Sequence, residues 1–183
     1  MADYASDVRR ALETLAEPVV LLGWSMGGLV ALMAAAGGGV HACIGLAPST
    51  PARTRNPAAP LRSGVFGPEV YGVIDRLPDH QDATMPDLDR DERLLALASL
   101  GQESLLARDE RQAGIVLAPL ACPALIVVGA RDAQWPRSRY ADLPLSADWL
   151  EVDASHWGLV LNRRCLRELV PAVLGWLQGL TYA

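Results

Sequence analysis

The sequence predicts an α/β fold, a parallel sheet whose strands are joined by crossover helices. Three observations carry this expectation. Short apolar runs at Val19–Leu22, His41–Ala47, Ala124–Val128 and Trp149–Val152 read as strands. Segments with apolar residues at helical spacing alternate with them. A glycine-flanked serine, Gly23-Trp24-Ser25-Met26-Gly27-Gly28, stands directly between the first strand and helix-forming sequence. The 183 residues suit one domain, which can bury about 70 % of its unfolded surface.

The elements follow in order. Asp3–Ala16 reads as an amphipathic helix with Val8, Leu12 and Leu15 on one face, ended by Pro18. The helix after Ser25 carries Leu29, Leu32, Met33 and Ala36 on a stripe, and Gly37-Gly38-Gly39 stops it. Pro51–Ala118 is rich in Pro, Arg and Asp and is expected to be a helical lid inserted within the domain, with helices over Asp89–Gly101 and Ser104–Ala113. Its Val65, Phe66, Val70, Tyr71, Val73 and Ile74 either line an acyl pocket or pack the insertion onto the sheet. A short helix is expected near Ser138–Leu143. A final one has Leu166, Leu169, Val170, Val173, Leu174 and Leu177 on one face.

Composition excludes several classes of function. The formal charge is −5 and no basic run occurs, which argues against a nucleic-acid partner. All sixteen basic residues are arginine, so these residues offer neither a Schiff-base lysine nor a Walker lysine. Alanine and arginine enrichment suggests a GC-rich bacterial source. Cys43, Cys122 and Cys165 match neither zinc-ligand spacing nor a disulfide framework and are expected to be buried free thiols. The first residues lack signal-peptide character, and no apolar run reaches membrane-spanning length. The expected location is cytoplasmic, with no membrane partner.

A serine on a strand-to-helix turn is a nucleophile elbow, and the helix beginning there aims its free N–H groups at it. Serine needs a base. His41 opens a strand at the far edge of the sheet and His80 lies in the lid. His156, in Ala154-Ser155-His156-Trp157-Gly158, follows the last strand at the C-terminal edge where such sheets place their sites. The carboxylate that orients it is expected to be Asp132, three residues past Val128-Gly129 in chain order, with Asp153 as the rival. Trp24 and Trp157 flank the serine and the histidine and are candidate substrate contacts. Arg131 and Arg137 are candidates for attracting an acidic substrate.

In the order Ser25, Asp132, His156 the chain resembles the α/β-hydrolase family, whose triad runs nucleophile, acid, histidine. The matching pieces are Gly-Trp-Ser-Met-Gly-Gly, Gly-Ala-Arg-Asp and Ser-His-Trp-Gly, within a resemblance running from Asp3 to about Leu180. The glycine-rich elbow is similar to that of small carboxylesterases. The resemblance implies a serine hydrolase acting on a small-molecule carboxylic ester or thioester, with the Met26 N–H as one oxyanion donor and no metal or organic cofactor. It also implies several strands ahead of the helix at Asp3. Only eighteen residues precede the first strand, so the chain is expected to lack the N-terminal half of the sheet and with it the second oxyanion donor. Val19–Leu22 then becomes an exposed apolar edge, open to a second copy or to a complementary N-terminal segment. Two other readings stand beside this one. One is an acyltransferase or a cofactor-free haloperoxidase (perhydrolase). The other is a weak or inactive hydrolase fragment that associates through that edge.

Overall fold

The computed structural model describes residues 1–16, 18–71, 85–141 and 145–180. In chain order the elements are α1 (Ala2–Leu12), β1 (Val20–Trp24), α2 (Ser25–Ala35), β2 (Ala42–Leu46), β3 (Val65–Phe66), α3 (Arg90–Ser99), β4 (Glu103–Ser104), α4 (Leu105–Ala113), β5 (Ala124–Gly129), β6 (Asp148–Val152), α5 (Gly158–Leu161) and α6 (Arg163–Gly179). The main sheet has the order β1-β2-β5-β6, and every pairing in it is parallel. The C-terminal ends of all four strands therefore share one edge of the sheet.

The two central strands, β2 and β5, are buried at every residue, because helices cover both faces of a parallel sheet. Alternate residues feed two cores. Ile44, Leu125 and Val127 pack with Leu159, Cys165, Leu169 and Val173 on one side. Cys43, Ile126 and Val128 pack with Ala31, Leu32, Ala35 and Tyr140 on the other. α6 buries the stripe Cys165, Leu169 and Val173, narrower than the face expected from sequence. Val170 and Leu174 are about half exposed, at 50 % and 51 %. A single helix lying on a sheet covers it with one stripe, and residues one position round are left to solvent. α1 likewise stops at Leu12, and Leu15 is exposed. β1 lies at an edge of the sheet, where Leu22 is 58 % exposed.

The segment between β2 and β5 differs from the expectation in one respect. Besides α3 and α4 it holds an antiparallel pair, β3 with β4, in the register Val65↔Ser104 and Phe66↔Glu103. These strands have two residues each, too short to show an alternating pattern. α3 starts on a capping box between Asp89 and Glu92, and Ser104 caps α4 by accepting the Ala107 N–H. Ala107 and Ile115 pack the segment onto Leu29 and Val30 of α2. Phe66 is buried, whereas Val65 and Val70 are exposed. Val73, Ile74 and the Tyr71 side chain lie outside what is described. In place of a helix near Ser138, the described residues form a 3-10 turn, Arg137–Tyr140, and Leu143 lies outside them.

All three cysteines are unpaired, with Cys43 and Cys165 buried and Cys122 only half-buried. Burial, and to a lesser extent the nearby Cys122, pushes the Cys43 thiol up to about 12. Burial first, then nearby carboxylates, raises Cys165 to about 11. Among the described residues no helix is long and apolar enough to cross a membrane.

Candidate active site

Ser25 is the first residue of α2, and it sits in the left-handed region with φ at 53°. That conformation costs a non-glycine residue roughly 1–2 kcal/mol, so the surroundings must impose it. Glycines on both sides admit the close packing of this turn. A Cβ on Gly23 would fall 2.3 Å from the Gly27 carbonyl oxygen, and one on Gly28 would fall 2.8 Å from Cβ of Pro48. A Cβ on Gly27, by contrast, would meet nothing within 4 Å among the described residues, which leaves open space beside the partly buried serine. Below the elbow lies the turn Ala47-Pro48-Ser49, itself strained, with φ of Ala47 at 38°. Tyr140 donates its hydroxyl to the Pro48 carbonyl at 2.5 Å, the Ser49 N–H donates to the Ser25 carbonyl at 2.8 Å, and Arg111 donates to the Ser49 hydroxyl at 3.1 Å.

The structure brings Asp132 and His156 together at the same edge of the sheet. Both are buried, at 3 % and 6 % exposure. Oδ2 of Asp132 is 2.7 Å from Nδ1 of His156, and a carboxylate acceptor requires that this nitrogen carry the proton. Oδ1 of Asp132 accepts the backbone N–H groups of Gln134 at 2.8 Å and Trp135 at 2.9 Å. Burial pushes the Asp132 carboxyl up. The hydrogen bond and charge of His156, with the two backbone donors, outweigh it and hold the group below the usual carboxylate range. The loops carrying acid and base meet at Gly129, where a Cβ would fall 2.2 Å from the Ala154 carbonyl. The N–H of Arg131 donates to that carbonyl at 3.0 Å.

The rival carboxylate, Asp153, is exposed and taken up by Arg131, whose Nε and Nη2 donate to its two oxygens at 2.6 Å each. Arg137 stacks over the Trp149 ring, 4.7 Å from its centroid. His41 stands just ahead of β2, at the opposite end of the sheet from Ser25, where its N–H donates to the Val19 carbonyl. His80 lies outside the described residues.

Trp24 joins the elbow to the histidine loop. Its indole N–H donates to the His156 carbonyl at 3.0 Å, and its ring centroid lies 4.9 Å from that of His156 and 4.7 Å from that of Trp157. The residue preceding the serine thus seats the main chain of the histidine. Three other residues near the site carry no signal in the sequence, because their partners lie far along the chain: Ser49 and Arg111, which meet 62 positions apart, and Asp87, which accepts the N–H of Ser155 68 positions on. The Met26 N–H belongs to the first turn of α2, whose N–H groups lack partners within the helix. Together these parts place a strained serine at a helix N-terminus and a buried carboxylate–imidazole pair along the same edge of the sheet, and the hydrogen bonds of His156 run to Asp132 and Trp24, not to Ser25. Among the described residues no group of three or more His, Cys, Asp or Glu is arranged to hold a metal ion.

A family model described as the alpha/beta hydrolase family matches residues 1–168. No curated protein matches the sequence. Solved structures do. Methylketone synthase I from tomato, complexed with 2-tridecanone, is similar with a TM-score of 0.66 at 16 % identity, over 98 % of this chain and 79 % of that one. Polyneuridine aldehyde esterase is similar with a TM-score of 0.63 at 16 % identity, over 94 % of this chain and 78 % of that one. The monoacylglycerol lipase of Paleococcus ferrophilus is similar with a TM-score of 0.59 at 19 % identity, over 94 % of this chain and 73 % of that one. At such identities the likeness is one of fold.

Proposed function

Because the chain belongs to the alpha/beta hydrolase family, we propose that it is a serine hydrolase that cleaves a carboxylic ester or thioester of a small molecule through an acyl-enzyme on Ser25. The observation that carries this is the buried bond from His156 to Asp132, on the sheet edge where Ser25 is held in its strained turn. With Nδ1 committed to Asp132, Nε2 of His156 is the free base. Ser25 Oγ attacks the acyl carbon while Nε2 takes its proton, and Asp132 stays ionised to hold the imidazolium. The carbonyl electrons move onto oxygen, where the Met26 N–H and the N-terminus of α2 stabilise them. One such donor is worth roughly 10²–10³ in rate. As the tetrahedral adduct collapses, the leaving group departs with the proton from Nε2. Water, deprotonated by the same nitrogen, then releases the acid and regenerates Ser25. Trp24 and Trp157 stand next to the base and form one wall for the substrate. The unpaired thiols agree with a cytoplasmic location.

A second element of the reading is association. The position of β1 at the sheet edge and the exposure of Leu22 support pairing there with a second copy or a complementary N-terminal segment. Light scattering of native chain and Leu22→Lys tests it. An unchanged native monomer at high concentration, with no response to added N-terminal segment, refutes it.

The hydrolase reading is tested by intact mass after exposure to a fluorophosphonate, with Ser25→Ala as control and ester, alcohol-acceptor and peroxide assays beside it. A single adduct that disappears in the variant supports the reading. A folded chain without adduct, or an adduct that survives the substitution, refutes it. Transfer to alcohol or peroxide in preference to water reassigns the acceptor to the acyltransferase or perhydrolase alternative.

A further inference from the structure

The loop that carries His156 is gripped by the segment between β2 and β5. Oδ2 of Asp87 accepts the N–H of Ser155, the residue before His156, at 2.9 Å. Two residues beyond the histidine, Gly158 makes room for the same carboxylate, since a Cβ there would fall 2.1 Å from Oδ2 of Asp87. The main-chain carbonyl of Asp87 accepts from the Asn162 side-chain amide. Asn162 in turn caps α6, accepting the N–H groups of Arg164 and Cys165 at 2.9 Å. Glu92 adds a second tie, accepting the Arg163 N–H at 2.8 Å. Met85, Leu88 and Ala96 pack with Trp157 and Leu161 beneath.

The histidine is thus fixed from three parts of the chain. Asp132 holds its ring, Trp24 its carbonyl and Asp87 the peptide before it. Asp87 has a further peculiarity. Its other oxygen, Oδ1, is buried with no hydrogen-bond partner among the described residues. A buried carboxylate oxygen left unpaired is costly to the fold, and such an atom in a native structure calls for an explanation. Here the carboxylate's place against Ser155 and Gly158 supplies one.

We propose that Asp87 is a positioning residue for His156, fixing the main chain on both sides of the histidine so that the imidazole stays seated on Asp132. The proposal rests on the hydrolase reading above. It assigns the insertion a part in turnover that is separate from covering substrate.

The test compares Asp87→Ala, Asp87→Asn and Gly158→Ala by two readouts. The first is kcat and KM on a p-nitrophenyl ester, per site titrated with fluorophosphonate. The second is the low-field proton NMR signal of His156 Nδ1–H, identified by its loss in His156→Gln. Misplacement by about 1 Å can cost about 10²-fold, so Asp87→Ala and Gly158→Ala are expected to lower kcat by about 10- to 100-fold and to broaden or shift the signal. KM stays within about threefold, because the loss falls on the chemical step. Asp87→Asn keeps an oxygen for Ser155 and is expected to restore most of kcat and the native signal. Native kcat per titrated site with an unmoved signal in Asp87→Ala overturns the proposal, as does an Asp87→Asn variant as impaired as Asp87→Ala. If Asp87→Ala does not fold, Gly158→Ala carries the test, since it displaces the carboxylate without removing it. If the native chain neither labels nor turns over, the hydrolase reading fails, and the NMR signal alone decides whether Asp87 seats His156.

Discussion

Replacing Asp132 with asparagine probes the acid–base pair with almost no change of shape. The carboxylate accepts in two directions, from His156 through Oδ2 and from the Gln134 and Trp135 N–H groups through Oδ1. An amide has one oxygen. If that oxygen turns toward His156, two backbone donors face an NH₂ group and lose their bonds, at about 1–3 kcal/mol each when buried. If it stays with the backbone donors, the NH₂ group faces Nδ1, and one bond survives in reversed polarity. The second arrangement wins by a few kcal/mol on that count. It has a chemical consequence, because Nδ1 must then be the bare nitrogen and Nε2 carries the proton, which leaves Ser25 without a base. The expected loss is about 10³–10⁴ in kcat, or about 4–5.5 kcal/mol on the barrier. KM and the circular dichroism spectrum stay near native. Steady-state hydrolysis of a p-nitrophenyl ester and the rate of fluorophosphonate labelling both read it, since both need the same base. A folded Asp132→Asn variant within tenfold of native in both assays would refute the reasoning.

Other expectations follow from the same geometry. Gly23→Ala drives a Cβ into the Gly27 carbonyl and is expected to lose about 1–3 kcal/mol of stability, whereas Gly27→Ala, facing open space in a helix, stays within about 1 kcal/mol of native. Equal drops in melting temperature contradict the crowding argument. Asp109 is buried and accepts from the Nε, Nη2 and main-chain N–H of Arg62. The side-chain bonds foremost, then the backbone bond, hold its carboxyl down at about 2. A depressed carboxyl contributes stability above its unfolded value of about 3.9, lost as pH falls through the folded one. Asp109→Asn should therefore melt earlier than native at neutral pH, with the difference closing between about pH 4 and pH 2. A gap that persists unchanged at pH 2 counts against the pair. The raised thiols of Cys43 and Cys165 predict that iodoacetamide at pH 8 leaves both unmodified until the chain unfolds. Prompt alkylation of either in the folded chain, seen by peptide mass spectrometry, contradicts their burial.

Some of this architecture is written locally in the sequence. β2 and β5 announce themselves as continuous apolar runs because both faces of a central parallel strand are covered. The elbow is legible because its glycines sit where a strand turns into a helix. Asp132 and His156 stand out because each follows a strand in chain order. What escapes is what depends on distance in space. Gly23, Gly27 and Gly28 look alike in sequence, yet two are enforced by crowding and one is open. Val170 and Leu174 share the apolar character of their neighbours but fall outside the strip that the sheet covers. Trp24 reads as a residue beside the substrate, and only the folded chain brings its indole N–H to a carbonyl 132 positions away. Asp87 lies 68 positions from Ser155, in a stretch with no motif to single it out.

The long excursion between β2 and β5 bears on how the molecule assembles. The chain leaves the sheet at Leu46 and returns at Ala124. Pairing β2 with β5 therefore closes a loop of roughly 80 residues, whose entropy grows only as the logarithm of its length, about 0.6 kcal/mol for each doubling. Added length in its exposed stretches therefore costs little in closure entropy, whereas α4 is held in place by Ala107 against α2 and by Arg111 on Ser49. Kinetically the excursion weighs more. The contacts of β1, α2 and β2 are local and are expected to form early, while β5 must wait for the distant return of the chain. The turn at Ser25 is then expected to form before Asp132 and His156 arrive, so on the proposed hydrolase reading fluorophosphonate labelling of Ser25 should lag behind formation of the elbow itself.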